Sequence, residues 1–122
     1  MKKILGLLAS IAVISNPLNA IAFSDIEIYS GFDNQVIGKI TTDTTDYLNI
    51  CGNGEGGSSY STFGIYSIHG INGSKVSAWG AYNPYSQYPP YFYFKGYKLY
   101  ITTNNYLSDT IHPDILKLKI CH

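Results

Sequence analysis

Arginine is missing from this chain of 122 residues, and only 13% of its residues carry a charge. Nucleic-acid recognition depends on a basic footprint and on bidentate arginine contacts, so that class of partner is excluded. A basic amphipathic helix for an anionic membrane surface is equally absent. The longest apolar stretch, Ile4 to Ile14, is too short for a permanent bilayer span. Histidine is scarce as well: His69, His112 and His122 share no metal-ligand spacing, and the only two cysteines, Cys51 and Cys121, lie in no zinc or redox motif. No metal site and no cofactor are expected.

What is present begins with an export signal. Met1-Lys2-Lys3 supplies a positive start, the apolar stretch follows, and Ala20-Ile21-Ala22 has the small-x-small form of a cleavage site. Residues 1–22 therefore read as a signal peptide of bacterial type, and the mature protein as secreted or periplasmic. The remaining residues, 23–122, suit one domain. They hold six lysines against eight acids, a net charge of −2. In an oxidising compartment Cys51 and Cys121 read as a disulfide, whose closure of a loop of some seventy residues would restrict the unfolded chain by about 4 kcal/mol.

Strand signals dominate the mature chain. Asp25 to Tyr29, Gln35 to Thr41, Asp46 to Cys51, Tyr60 to Ile68, Lys75 to Ala81, Lys98 to Thr103 and Ile115 to Cys121 each combine alternation with β-branched or aromatic residues. The last has Leu116, Leu118 and Ile120 on one face and Lys117 and Lys119 on the other. Glycine and serine from Gly52 to Ser59 mark a loop. Asn83-Pro84 resembles a helix start, but Pro89-Pro90 forbids a continuous helix, leaving broken turns over 83–88 and 90–95 with Gly96 as a stop. No internal repeat is evident. The expected fold is all-β: a small five- to seven-stranded Greek-key barrel, like an oligonucleotide/oligosaccharide-binding fold, with at most one short broken helix.

Catalytic signals are weak. Gly56-Gly57-Ser58-Ser59 begins like a nucleophile elbow without its closing glycine, and Asp25 with Glu27 reads as a pair of exposed strand acids. Asn72-Gly73-Ser74 is a glycosylation sequon in form and a turn in composition. No catalytic residues are assigned, and a non-enzymatic protein is expected. The strongest feature is the segment from Ser77 to Ile101, with ten aromatic residues in twenty-five. In Tyr91-Phe92-Tyr93-Phe94, alternation would bury the phenylalanines and expose the tyrosines. Exposed tyrosine offers a rigid apolar ring with a polar tip, suited to stacking on sugars or packing on a partner protein.

An ordered series of short motifs resembles the B (receptor-binding) subunits of pertussis-like and subtilase-type toxins, which pair one enzymatic A chain with a five-membered B ring. The motifs are Tyr29-Ser30-Gly31, Val36 to Ile40, Tyr47 to Cys51, Ser77 to Ala81, Tyr91-Phe92-Tyr93 with Gly96 and Ile101, and Ile115 to Cys121. The resemblance implies a homopentamer that binds cell-surface glycans, sialylated ones among them, and delivers a toxin A subunit. It carries the glycan site onto Tyr29, Ser30, Tyr100 and Thr103. The alternative is a monomeric exported β-domain, an inhibitor or surface-associated factor, that uses the tyrosine segment to bind a protein.

Overall fold

Ile26–Tyr29 (β1) and Val36–Ile40 (β2) are short β-branched runs, and the turn between them lets them fold back on each other. The computed structural model describes residues 25–121; the signal peptide and cleavage site expected over residues 1–22 lie outside the described residues. β1 pairs antiparallel with β2 on one side, Ile26 opposite Ile40, and with Tyr91–Phe94 (β3) on the other. β3 continues into Tyr97–Ile101 (β4) through Lys95 and Gly96, at φ 51° and 81°. Two left-handed residues in a two-residue loop form the hairpin turn whose twist matches that of its strands. A parallel strand, Thr110–Ile111 (β5), ends a mixed five-stranded sheet ordered β2-β1-β3-β4-β5.

That order corrects the barrel expectation. Its ends, β2 and β5, do not pair with each other, so the sheet is open and is neither a Greek-key barrel nor an oligonucleotide/oligosaccharide-binding fold. Three of the expected strands, over 46–51, 60–68 and 75–81, are not strands. Apart from an isolated parallel bridge between Lys39 and Asn49, they form a succession of turns.

The turns follow a period of three. A small polar residue or glycine recurs at every third position in runs: Asp43, Asp46, Asn49 and Gly52, then, past Glu55, Ser58, Ser61, Gly64, Ser67 and Gly70. After an extra residue at Gly73 the series resumes with Ser74, Ser77, Gly80, Asn83 and Ser86. Its carbonyl typically accepts the N–H of the next such residue, as at Gly80→Ser77 (3.1 Å) and Asn83→Gly80 (3.1 Å). Its side chain accepts the N–H two residues on, as Asn49 does from Cys51 (2.9 Å) and Ser77 from Trp79 (3.1 Å). Asn, Asp and Ser favour this conformation because their side chains imitate a backbone turn.

Successive laps of this coil are joined by Gly56→Tyr47 (3.0 Å), Ile68→Ser59 (3.1 Å) and Ala81→Asn72 (2.9 Å), each nine residues apart, the length of three triplets. The laps pack so tightly that a Cβ on Gly80 would lie 1.8 Å from the Ser74 carbonyl oxygen. The chain therefore contains an internal triplet repeat, contrary to the expectation of none.

The C-terminal segment is also corrected. Residues Pro113–Ile120 form a helix (α1) where a strand was expected. His112 accepts the Asp114 N–H at 3.0 Å as N-cap, proline occupies the first turn, and Lys117 and Lys119 lie toward the negative end of the helix dipole. Leu116 is buried and Leu118 is 68% exposed, a helical rather than an alternating pattern. Between Tyr88 and Tyr91 the chain runs without helix, as the prolines require, and the residues after them enter β3 directly.

Ile28, Phe92, Leu99 and Ile101 form the buried face of the sheet; Ile50, Ile65 and Ala81 reach them from the coil and Leu116 from the helix. Cys51 and Cys121 form the expected disulfide, tying the coil to the end of α1 across seventy positions.

Candidate functional site

Two triplets and the helix enclose the larger concave site. Tyr66 and Tyr82 each occupy the third position of a triplet, and both reach toward the first turn of α1. The Tyr66 hydroxyl donates to the Pro113 carbonyl at 2.8 Å, and the Tyr82 hydroxyl to Asp114 Oδ1 at 2.6 Å. Their ring centroids stand 6.5 Å apart, and Lys117 Nζ lies 4.8 Å over the Tyr66 ring. Ser59, Ile68, His69 and Lys75 complete a groove of about 600 Å³.

Burial is the main cause that pushes the Tyr66 phenol far above its ordinary pKa, with Tyr82 and Asp114 adding to it. For Tyr82, burial comes first and the Asp114 hydrogen bond second. Both therefore remain neutral donors fixed on acceptors, with ring surface turned toward the groove. The groove offers aromatic faces, ammonium groups on Lys75 and Lys117, and a carboxylate already engaged by a phenol, features suited to holding a polyhydroxy ring.

The residues expected from the sequence are divided. Tyr29 and Tyr100 share the outer face of the sheet: the register places Tyr29 opposite Tyr91, and Tyr91 opposite Tyr100. Tyr29 stacks on Tyr91 at 5.4 Å, Tyr100 stands 6.4 Å from it, and Lys98 Nζ lies 4.2 Å over the Tyr91 ring. This crowding buries Tyr91, which alternation had placed in solvent with Tyr93; only Tyr93 is exposed.

Ser30 points inward. It is 1% exposed, donates to Asn72 Oδ1 at 2.7 Å and accepts the Phe32 N–H at 3.1 Å, thereby fastening the β1–β2 turn to the coil. It lines a cavity of about 300 Å³ whose lining includes none of Tyr29, Tyr100 or Thr103. Thr103 lies against the coil, where its N–H bonds the Ala81 carbonyl at 2.9 Å; its Oγ1 is buried with no hydrogen-bond partner.

Of the other polar candidates, Ser58, Glu27 and Asn72 have structural partners. Ser58 Oγ accepts the Tyr60 N–H, and Glu27 receives the Tyr29 hydroxyl. Asn72 is buried and donates to the Phe63 carbonyl. The groove residues Tyr66, Tyr82, Lys75, Asp114 and Lys117 were not singled out from the sequence. The recurrence of aromatics at third positions (Tyr60, Phe63, Tyr66, then Trp79, Tyr82, Tyr85, Tyr88) could have pointed to the two tyrosines.

No protein-family model, no curated protein and no solved structure matches this chain.

Proposed function

We propose that this chain is a non-enzymatic carbohydrate-binding domain of an exported protein, and that the groove between the triplet coil and α1 receives the sugar. The observation that carries this reading is the pair Tyr66 and Tyr82, whose rings line a concave wall while Pro113 and Asp114 fix their hydroxyls. A sugar packs its C–H face on such a ring and exchanges water for hydrogen bonds at the rim. One such pocket with a dissociation constant near 1 mM contributes only about 4 kcal/mol, so repetition of the site on a larger assembly would be the route to tight cell binding.

Delivery of a toxin A subunit by a ring of five is the furthest extension of this proposal. It rests on the ordered motifs alone, because the sheet is open and is not the barrel that the resemblance implies. Binding of a protein partner by a monomer is the second reading, favoured by the tyrosine cluster on the outer sheet face.

A glycan array probed with the exported protein tests the first reading. Tyr82→Ala should lower binding by about tenfold, and Tyr93→Ala on the sheet face should leave it unchanged. No glycan bound, or equal binding by Tyr82→Ala, would sink the assignment. Light scattering separates a monomer from a ring of five.

A further inference from the structure

The chain holds two Asn-Gly pairs, Asn53-Gly54 and Asn72-Gly73, and the fold treats them in opposite ways. Asn72 is 2% exposed and fully engaged: its Oδ1 accepts from the Ser30 hydroxyl at 2.7 Å and its Nδ2 donates to the Phe63 carbonyl at 2.9 Å. The Gly73 N–H that follows it donates to the Gly70 carbonyl at 3.3 Å. Asn53 is exposed. Among the described residues neither its side-chain amide, nor its carbonyl, nor the Gly54 N–H has a hydrogen-bond partner. The chain on both sides is held. The Gly52 N–H donates to the Asn49 carbonyl at 3.0 Å, and the Gly54 carbonyl accepts from the N–H groups of Gly57 at 3.2 Å and Ser58 at 2.9 Å. One unbonded peptide unit thus stands in an otherwise bonded lap, and the glycine that follows Asn53 has no side chain to shield its nitrogen.

We propose that Asn53 is a site of spontaneous covalent modification, at which the folded protein forms isoaspartate while Asn72 is protected. The Gly54 nitrogen attacks Asn53 Cγ; the new C–N bond closes a cyclic imide, the Cγ–Nδ2 bond breaks, and ammonia leaves with the proton from the Gly54 N–H. Water then opens the imide. Attack at Cγ gives aspartate in the ordinary chain, and attack at the main-chain carbonyl gives isoaspartate, whose chain runs through Cβ and Cγ. Either product adds one negative charge, but only isoaspartate lengthens the backbone. The lap that contains Asn53 is closed by the Gly56 N–H on the Tyr47 carbonyl at 3.0 Å, and a Cβ on Gly54 would lie 2.6 Å from that same oxygen. An extra backbone atom has no room there, so isoaspartate opens the lap next to Cys51 and its bridge to Cys121. Residues 47–56 contribute nothing to the lining of the groove, so the proposal is independent of glycan binding.

The test incubates the exported, disulfide-bonded protein in mildly alkaline buffer at body temperature and follows both Asn-Gly peptides by mass spectrometry. Electron-transfer fragmentation and a protein isoaspartyl methyltransferase distinguish isoaspartate from aspartate. Conversion should be at least about tenfold faster at Asn53 than at Asn72, which reacts only when its buried surroundings open. After reduction and denaturation the two rates should come within about threefold of each other, because the fold and not the dipeptide sets the difference. Asn53→Gln should stop the reaction at this position, since its longer side chain closes a larger ring far more slowly. The aged protein should melt below the fresh one, whereas freshly prepared Asn53→Asp, which adds the charge without lengthening the chain, should melt like the wild type. An intact Asn53 after incubation, equal rates at the two pairs in the folded protein, rates that stay unequal on denaturation, aspartate without isoaspartate, or an aged protein that melts like the fresh one would each overturn the proposal.

Discussion

The sheet and the triplet coil both draw on tyrosine, isoleucine and glycine, yet satisfy their backbones in different ways. In the sheet, alternation places Ile28, Phe92 and Leu99 in one buried row and Tyr29, Tyr91 and Tyr100 in the next row on the opposite face. In the coil, a small residue at every third position lets each turn close on itself and each lap lie against the last. Backbone pairing holds the sheet whatever its outward side chains are, whereas the coil depends on the size and polarity of one residue in three. The coil is thus the more fragile region to substitution, and the groove is built largely upon it.

The largest effect should follow from detaching the coil from α1. Reduction of Cys51–Cys121, or Cys51→Ser/Cys121→Ser, is expected to cost about 4 kcal/mol, because the bridge closes a long loop in the unfolded chain. Denaturant unfolding with and without a dithiol reductant measures the loss. A midpoint unmoved by reduction would mean that the bridge constrains little.

Glycine substitutions compare the two regions directly. Gly80→Ala, which drives a Cβ into the Ser74 carbonyl, should destabilise by about 3 kcal/mol. Gly96→Ala in the β3–β4 hairpin meets no atom within 4 Å and bears only the strain of its φ of 81°, about 1 kcal/mol. Equal losses in thermal melts would remove the distinction between the regions.

Ser30 sharpens the seam between them. Ser30→Ala leaves Asn72 Oδ1 without its donor and the Phe32 N–H without its acceptor, for an expected cost of about 2 kcal/mol. The effect should appear in the melt and leave glycan binding by the folded fraction intact. Lost binding at full stability would return Ser30 to the site first expected for it.

The smallest effect lies at the sheet edge, where Lys39 Nζ meets Asp46 Oδ2 at 2.8 Å. The hydrogen bond from Lys39, then that from the Leu48 N–H, lowers the Asp46 pKa below its ordinary value. A depressed carboxylate stabilises above its unfolded pKa, about 3.9, and that contribution disappears as pH falls through the lower folded value. Lys39 is shifted upward, chiefly by the same hydrogen bond, so its contribution is present below the unfolded lysine pKa and is lost as pH rises through the folded one. Melting temperature should therefore decline below about pH 4, and Asp46→Asn should flatten that decline. An acid slope unchanged in Asp46→Asn would locate the sensitivity in other carboxylates.

β1, β2 and β4 were legible because alternation and β-branching directly describe a half-buried strand. The turn coil was not, since short stretches such as Tyr60 to Ile68 also satisfy a strand pattern. What distinguishes them is the spacing of Ser58, Ser61, Gly64 and Ser67, a period of three spread over a much longer window. Ile115 to Cys121 misled for a related reason: Leu-Lys-Leu-Lys alternates like a strand, while His112-Pro113-Asp114 just before it carries the helix start.

By itself the sequence determined the disulfide partners, since only two cysteines exist, and the break at Pro89-Pro90, since proline lacks the donor a helix needs. It also determined, to within a residue or two, where three of the five strands of the sheet lie, because their alternation is local. Tertiary structure alone decided that the sheet stays open, that Ser30 faces Asn72 rather than solvent, and that Tyr66, Tyr82, Asp114 and Lys117 share one groove. Each of these depends on contacts between residues far apart in the chain, and local periodicity fixes which side of an element a residue occupies without fixing what lies across from it.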